Sequence, residues 1–170
     1  TSVKNKIPDY DYYGFCIPPK GYIFPKDEIP GFGDPSPRFE QWQKPHIVDK
    51  SSNKEYDFTV FSIVKFFELA RGGNPNILDA LYTPLNCVVH CTKIGQMVRD
   101  NRRLFISKNI WVRYRGYAYS QMHKMDSKNP EGGRKEIVEL HGFDTKFAYH
   151  LIRLLDQAQQ LIETGDMDIQ

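Results

Sequence analysis

The stretch DYDYYGFCI, residues 9–17, decides how this sequence is read. It is rich in Tyr and Phe and free of helix formers, so it predicts a β-strand. Side chains two apart in a strand share a face, which puts Asp9 and Asp11 on one side, about 7 Å apart along the chain. EYDFTVF, residues 55–61, predicts a second strand that opens near Asp57. Adjacent carboxylates repel unless a positive charge sits between them. A hard divalent cation, Mg²⁺ or Mn²⁺, prefers carboxylate and phosphate oxygens. Three carboxylates on neighbouring strands can hold two such ions, which stabilise the entering and leaving oxygens of an in-line phosphoryl displacement. Spacing alone leaves the alternative open, because Asp-X-Asp beside a loop is also common turn chemistry.

Around these strands the chain changes character. Residues 18–45 hold most of the 11 prolines. They predict a long surface excursion with a short helix near residues 39–43, since proline excludes a continuous helix or a central strand. SIVKFFELARGG then takes helical spacing through Ile63, Phe66, Phe67 and Ala70, and stops at Gly72-Gly73. Asn74-Pro75 restarts a helix with an N-cap and a first-turn proline, ending before Pro84. Thr92 caps a helix running to about Leu104. Another spans about Lys108 to Met125, broken by the polar loop DSKNPEGGRK. A last helix runs from about Asp144 to Thr164 with Gly165 as its stop. Its apolar stripe is Phe147, Leu151, Leu154, Leu155, Ala158, Leu161 and Ile162.

Bulk properties narrow the class. With 170 residues, 40% apolar and 26% charged, the chain suits a globular protein with one core. Lys and Arg number 23 against 21 Asp and Glu, so the balance permits a nucleic-acid partner without demanding one. Three cysteines, Cys16, Cys87 and Cys91, read as reduced thiols, which points to the cytoplasm. No apolar run approaches the ~20 residues of a membrane helix.

Other residues carry weaker signals. Lys146, His150 and Arg153 fall at i, i+4 and i+7, opposite the apolar stripe, where a basic face would grip a triphosphate or a polynucleotide backbone, or simply be solvated. Arg134 and Lys135 follow two glycines in a flexible loop that could close over phosphates or stay exposed. Lys65 interrupts an apolar helix and reads as a snorkelling lysine. Cys87, His90 and Cys91 lack a second pair for zinc and read as packing. Trp111, Tyr114 and Tyr117 read as core ahead of a base-stacking platform.

Three blocks carry a family resemblance. PDYDYYGF resembles the (S)D-x-D-x-x-G segment of DNA polymerase β-like nucleotidyltransferases. DFTVFSIVKFFELARGGNPNILDALYTP is similar to the third-Asp strand, helix and Asn-Pro element of the branch associated with RNA ligase and RNA repair in bacteria and phages. HGFDTKFAYHLIRLLDQAQQLIETG is similar to that branch's C-terminal helix, with its Asp-x-Lys…His-x-x-Arg pattern. The blocks cover about half the chain and occur in the branch's order. The resemblance implies a nucleoside triphosphate substrate, with Asp9 and Asp11 binding both metals and Asp57 completing the nucleophile-side metal. Two departures stand out. Pro8 replaces a common Ser, and only eight residues precede Asp9, too few for the upstream helix and Gly-Ser turn that hold the triphosphate. The sequence is therefore expected to be incomplete at both ends.

The resulting expectation is an α/β (α+β) fold, a small mixed sheet bearing the aspartates followed by a helical C-terminal half. Residues 1–91 would form the sheet region and 92–170 the helical region, as one compact unit. The expected function is metal-dependent transfer of a nucleotidyl group from a nucleoside triphosphate to an RNA end, a protein or a small molecule. Two alternatives remain: a catalytically degraded binding protein of the same fold, in the host cytoplasm if phage-encoded, and a phosphate-handling hydrolase using the same carboxylates.

Overall fold

A computed structural model of the protein describes residues 9–19, 22, 39–127 and 133–169, with the side chains of residues 9, 126, 127, 133 and 134 outside that description. Most of the Pro-rich excursion therefore lies outside the described residues. By packing, the chain divides into two units, residues 1–68 and 69–170. The division expected after residue 91 falls inside the second unit.

The first unit is built on a three-stranded sheet, among the described residues, in the order β1-β3-β2. Strand β1 is Asp9–Cys16, β2 is Gln41–Asp49 and β3 is Lys54–Ser62. β1 runs parallel to the central β3, and β2 antiparallel to it, so the sheet is mixed as expected. β2 replaces the expected short helix at residues 39–43. Its Pro45 misdirected that reading. Proline is tolerated here because β2 is an edge strand and because Pro45 falls in a register shift between Lys44 and Ile47. The β2–β3 turn is tied by Asp49, whose carboxylate accepts from the Ser51 amide at 2.9 Å and the Ser51 and Ser52 hydroxyls. These bonds, Ser52 first, hold the Asp49 carboxyl down at about 2. Asn53 completes the turn at φ 51°, a left-handed conformation that Asn tolerates.

Alternation divides the β1–β3 surface cleanly. Tyr10 stacks on Tyr56 at 5.7 Å and Tyr12 on Phe58 at 5.0 Å, on one face. The other face carries Phe15 and Phe61, which meet Phe66 of the following helix at 4.7 and 6.5 Å. That helix, α1 (Ile63–Arg71), starts without a loop, because the buried Ser62 hydroxyl accepts from the Lys65 amide at 3.2 Å. Lys65 does more than snorkel, since its ammonium pairs with Glu40 at 3.2 Å and Glu68 at 3.8 Å.

The second unit is helical: α2 (Pro75–Tyr82), α3 (Lys93–Asp100), α4 (Asn109–Ser127), α5 (Gly133–His141) and α6 (Thr145–Thr164). Asn74 caps α2 as expected, accepting from the Asn76 and Ile77 amides, and Thr92 caps α3. Asp144 caps α6, and Gly165 ends it at φ 68°. The core joins Ile77, Leu78 and Leu81 of α2, Ile110 and Tyr114 of α4, and Phe147, Leu154 and Leu161 of α6. Tyr114 is core as expected, Tyr117 is half-buried and accepts from Asn74, and Trp111 is exposed.

Two helical details depart from expectation. The α6 stripe is rotated: Leu155 and Ile162 are exposed, while Gln157 is buried. The cause is polar. Asp79 of α2 accepts from Arg153 at 2.5 Å and from Gln157 at 2.9 Å, drawing that flank of α6 inward. Arg153 and His150 therefore sit beside the buried stripe, half-buried, and not opposite it. The second departure is α5, which begins inside the expected loop DSKNPEGGRK and runs on through residues for which no element was predicted. Past Gly133, the run RKEIVEL consists mostly of good helix formers, and Lys135 pairs with Glu139 one turn on at 3.9 Å. Among the described residues no helix is long and apolar enough to cross a membrane.

Two glycines of this unit should respond oppositely to alanine. Gly73 has φ 73°, and a Cβ there would stand 3.1 Å from the Ile110 backbone. Gly116 lies inside α4, where an added Cβ would meet nothing within 4 Å. Gly73→Ala is expected to lose at least about 1–2 kcal/mol through left-handed strain alone, and Gly116→Ala to gain about 0.5–1 kcal/mol from helix propensity. Urea unfolding of the two variants checks both signs.

Candidate functional site

Register decides which acids meet. In the parallel β1–β3 pair Asp11 lies directly beside Asp57, and the backbone of Asp9 beside Glu55. The acid-Tyr-acid pattern of residues 9–11 is thus laid in register against that of residues 55–57. The tyrosines stack on one face, and Asp11, Glu55 and Asp57 take the other. The Asp9 side chain lies outside the described residues.

The edge strand supplies the counterpart. Between Lys44↔Phe58 and Ile47↔Tyr56, two residues of β2, Pro45 and His46, stand across from Asp57 alone. This is a β-bulge. Pro45 has no N–H to give to a ladder. His46 adopts φ 58°, and its amide donates to Asp57 Oδ1 at 2.6 Å. Its ring Nδ1 meets Glu55 Oε1 in a short contact. His46, Glu55 and Asp57 each offer a ligand atom within 4.8 Å of the others, a spacing that one cation can bridge. Carboxylate oxygens with one imidazole suit a hard or borderline divalent ion. Of the expected ligands, Asp57 alone belongs to this group; two carboxylates and one imidazole are nonetheless donors of the kind such a cation takes.

Sequence reading missed His46 and Glu55. Glu55 was within reach, because the alternation that joins Asp9 to Asp11 also joins Glu55 to Asp57. His46 was not, since its role depends on a bulge and a left-handed backbone that the Pro-rich context concealed.

The basic residues expected to bind substrate, Arg134, Lys135, Lys146, His150 and Arg153, all belong to the second unit. His150 is pulled below its ordinary value by burial first, then by the charges of Arg153 and Lys146. Lys146 is exposed, and Arg153 is engaged by Asp79. Lys135 is exposed on α5 beside the backbone of Arg134, whose side chain lies outside the described residues. Cys87, His90 and Cys91 are all exposed, so CVVHC does not pack in a core.

Residues 5–169 match the RNA repair pathway DNA polymerase beta family. The chain belongs to that family. Its mixed sheet and following helices are consistent with a polymerase β-like fold, as the three sequence blocks implied. Over 81 residues it is also 33% identical to a 38.9 kDa protein in the nrdC-mobD intergenic region of Enterobacteria phage T4. That alignment covers 46% of this chain and 24% of the phage protein, so it occupies a minor part of the relative. No solved structure matches.

Two outcomes follow for this polymerase β family member. His46→Gly keeps a residue at ease with positive φ, whereas His46→Val does not. The valine variant is expected to be less stable than the glycine variant by about 1–2 kcal/mol, read by chemical denaturation. Equal stabilities would show that the bulge does not require the left-handed backbone. His150 gives a pH signature. With its folded value below 6.5, the unfolded chain binds the proton first as pH falls. Stability is then fully present above 6.5 and declines as pH falls toward the folded value. His150→Gln should flatten that decline in unfolding curves taken across the same window.

Proposed function

We propose that this chain carries the carboxylates of a metal-dependent nucleotidyltransferase that moves a nucleotidyl group from a nucleoside triphosphate to an RNA end. The observation that carries the reading is the in-register pairing of Asp11 with Asp57, with His46 and Glu55 beside them, in a member of a polymerase β family. Asp9, Asp11 and Asp57 are the proposed metal ligands. The RNA end is favoured over a protein or small-molecule acceptor because the matched family is described by an RNA repair pathway.

Each residue has a physical task. Asp11 and Asp57 hold negative charge side by side on rigid paired strands, so their spacing does not depend on a loop. The His46 amide fixes one Asp57 oxygen and leaves the other to face a ligand. Glu55 holds the imidazole. A bound divalent cation would supply charge neutralisation at the phosphoryl group in transfer and favour deprotonation of the acceptor hydroxyl. Lys146 and His150 are proposed to hold anionic groups of the substrate, and Lys135 and Arg134 of α5 to assist.

A second reading, a nucleotidyltransferase fold kept for binding, draws on the same His46. Its amide and ring already engage Asp57 and Glu55, which is a way to satisfy these acids without metal.

Thermal unfolding and label transfer separate the two. For the enzyme, Mg²⁺ or Mn²⁺ together with a nucleoside triphosphate should raise the melting temperature more than the sum of either alone. Mass action gives about 2.7 kcal/mol at a hundredfold excess over Kd. Asp11→Asn with Asp57→Asn should abolish the synergy while matching or exceeding wild-type stability without ligand, since like charge has been removed. Metal-dependent transfer from an α-labelled triphosphate to RNA should appear in the full-length protein. Synergy without transfer supports the binding protein, and absence of both sinks the metal-site reading.

A further inference from the structure

Opposite the acids, the second face of the sheet carries rings and cations. Tyr10 stacks on Tyr56 and Tyr12 on Phe58, at 5.7 and 5.0 Å. Register adds β2 to that face: Trp42 lies across from Val60, Lys44 from Phe58 and Ile47 from Tyr56. Lys54 of β3 stands over the Tyr10 ring at 5.2 Å. A packed sheet face would hide such rings. Here Tyr10 is 40% and Trp42 46% exposed, Lys44 is exposed, and Tyr12, Tyr56 and Phe58 are only half-buried.

The chemistry of this face selects an occupant. An apolar protein surface docked here would strip water from Lys44 and Lys54. Among the described strand residues, the face offers them one carboxylate, Asp49, across from Lys54. That carboxylate is held in the β2–β3 turn by Ser51 and Ser52. Burying cations without a counter-charge is costly. The face is thus aromatic and cationic, complementary in charge to a polyanion and in shape to flat rings. Nucleic acid offers both.

Geometry selects a single strand. The two stacks form successive rungs, whose β3 rings, Tyr56 and Phe58, are 6.4 Å apart and inclined by 33°. Stacked nucleotides rise only ~3.4 Å along a strand. Bases laid on both rungs must therefore part from each other, which a single strand permits and a duplex does not. Among the described residues β1 is an edge strand, and Tyr10 and Asp11 are neighbours on it with side chains to opposite faces. A polynucleotide crossing this edge passes from the rings to the acids.

We infer that the aromatic face of the sheet binds single-stranded RNA, with bases stacked on Tyr10, Tyr12 and Trp42 and phosphates paired to Lys44 and Lys54. The choice of RNA as the strand rests on the acceptor proposed above, whereas the stacking surface does not depend on the carboxylate site. Every base has a π-face, so the surface takes an RNA tail without reading its sequence.

The test uses the full-length protein in EDTA, which silences any metal-dependent step, and follows a fluorescein-labelled oligouridylate by anisotropy. Tyr10→Leu keeps apolar bulk and removes the ring, so affinity should fall at least about fivefold, while Tyr10→Phe retains it. Trp42→Leu, on the other edge strand, repeats the test if Tyr10→Leu does not fold. In Lys44→Gln the slope of log K against log salt should flatten by about 0.7, the share of one phosphate contact on a single strand. Wild-type affinity in both leucine variants would overturn the inference, and so would an RNA duplex that competes as well as the single strand. A much lower melting temperature in Tyr10→Leu with RNA binding unchanged would mark a face covered by protein, which also overturns it. Ring-dependent RNA binding without metal–triphosphate synergy upholds the surface and removes the transferase. Synergy without ring-dependent binding leaves the transferase intact and removes the surface.

Discussion

Like charge on adjacent strands is the constraint to which the first unit answers. Parallel pairing sets Asp11 against Asp57 with no freedom to slip, because the same register stacks Tyr10 on Tyr56 and Tyr12 on Phe58 across the sheet. A shift of β1 by one residue would turn Tyr10 and Tyr12 to the acidic face and lose both stacks. Two unit charges at the ~5 Å spacing of neighbouring strands repel by roughly 3 kcal/mol at an effective dielectric of about 20. The aromatic face therefore stabilises an arrangement that the acidic face opposes. A sheet that keeps such a conflict is expected to gain something from it at a site of function.

The β2 bulge relieves part of that conflict by placing the His46 backbone N–H against Asp57 and the His46 ring against Glu55. A lysine opposite Asp57 would neutralise it and occupy it. An amide N–H from a left-handed His46 binds one oxygen and brings no formal charge of its own. Pro45 makes this possible, since a residue with its own N–H could continue the ladder and remove the bulge. Sequence, backbone conformation and electrostatics thus meet in two residues that no periodicity reveals.

What could be read from the sequence divides along the same line. Features set by local chemistry were legible. Asn74-Pro75, Thr92, Asp144 and Gly165 cap and stop helices through their own side chains or backbone freedom, and they do so where their spacing indicates. The two acid-bearing strands were legible from their composition. Features set by distant partners were not. β2 looked like loop because Pro45 is allowed only by an edge position that the sequence does not state. The face of α6 was misjudged because hydrophobic periodicity does not count a buried glutamine, and Gln157 is buried by an aspartate 78 residues away. The helix α5 was hidden by the glycines before it, although its own residues favour helix.

The same α6 shows why a basic pattern and an anion site differ. Lys146, His150 and Arg153 look equivalent at helical spacing. Asp79 breaks the equivalence by neutralising Arg153, while His150, pressed by burial and by two cations, resists taking a proton. The flank therefore runs from cationic at Lys146 to acidic at Asp156 within three turns, with a hydrogen-bonded Arg and Gln between them. A ligand with a charged tail and a neutral polar head fits such a gradient in one direction only. Reversing it would bring the anionic tail against the Asp156 carboxylate. Orientation on this helix then follows from charge order along the axis, which the rotation of α6 by Asp79 creates.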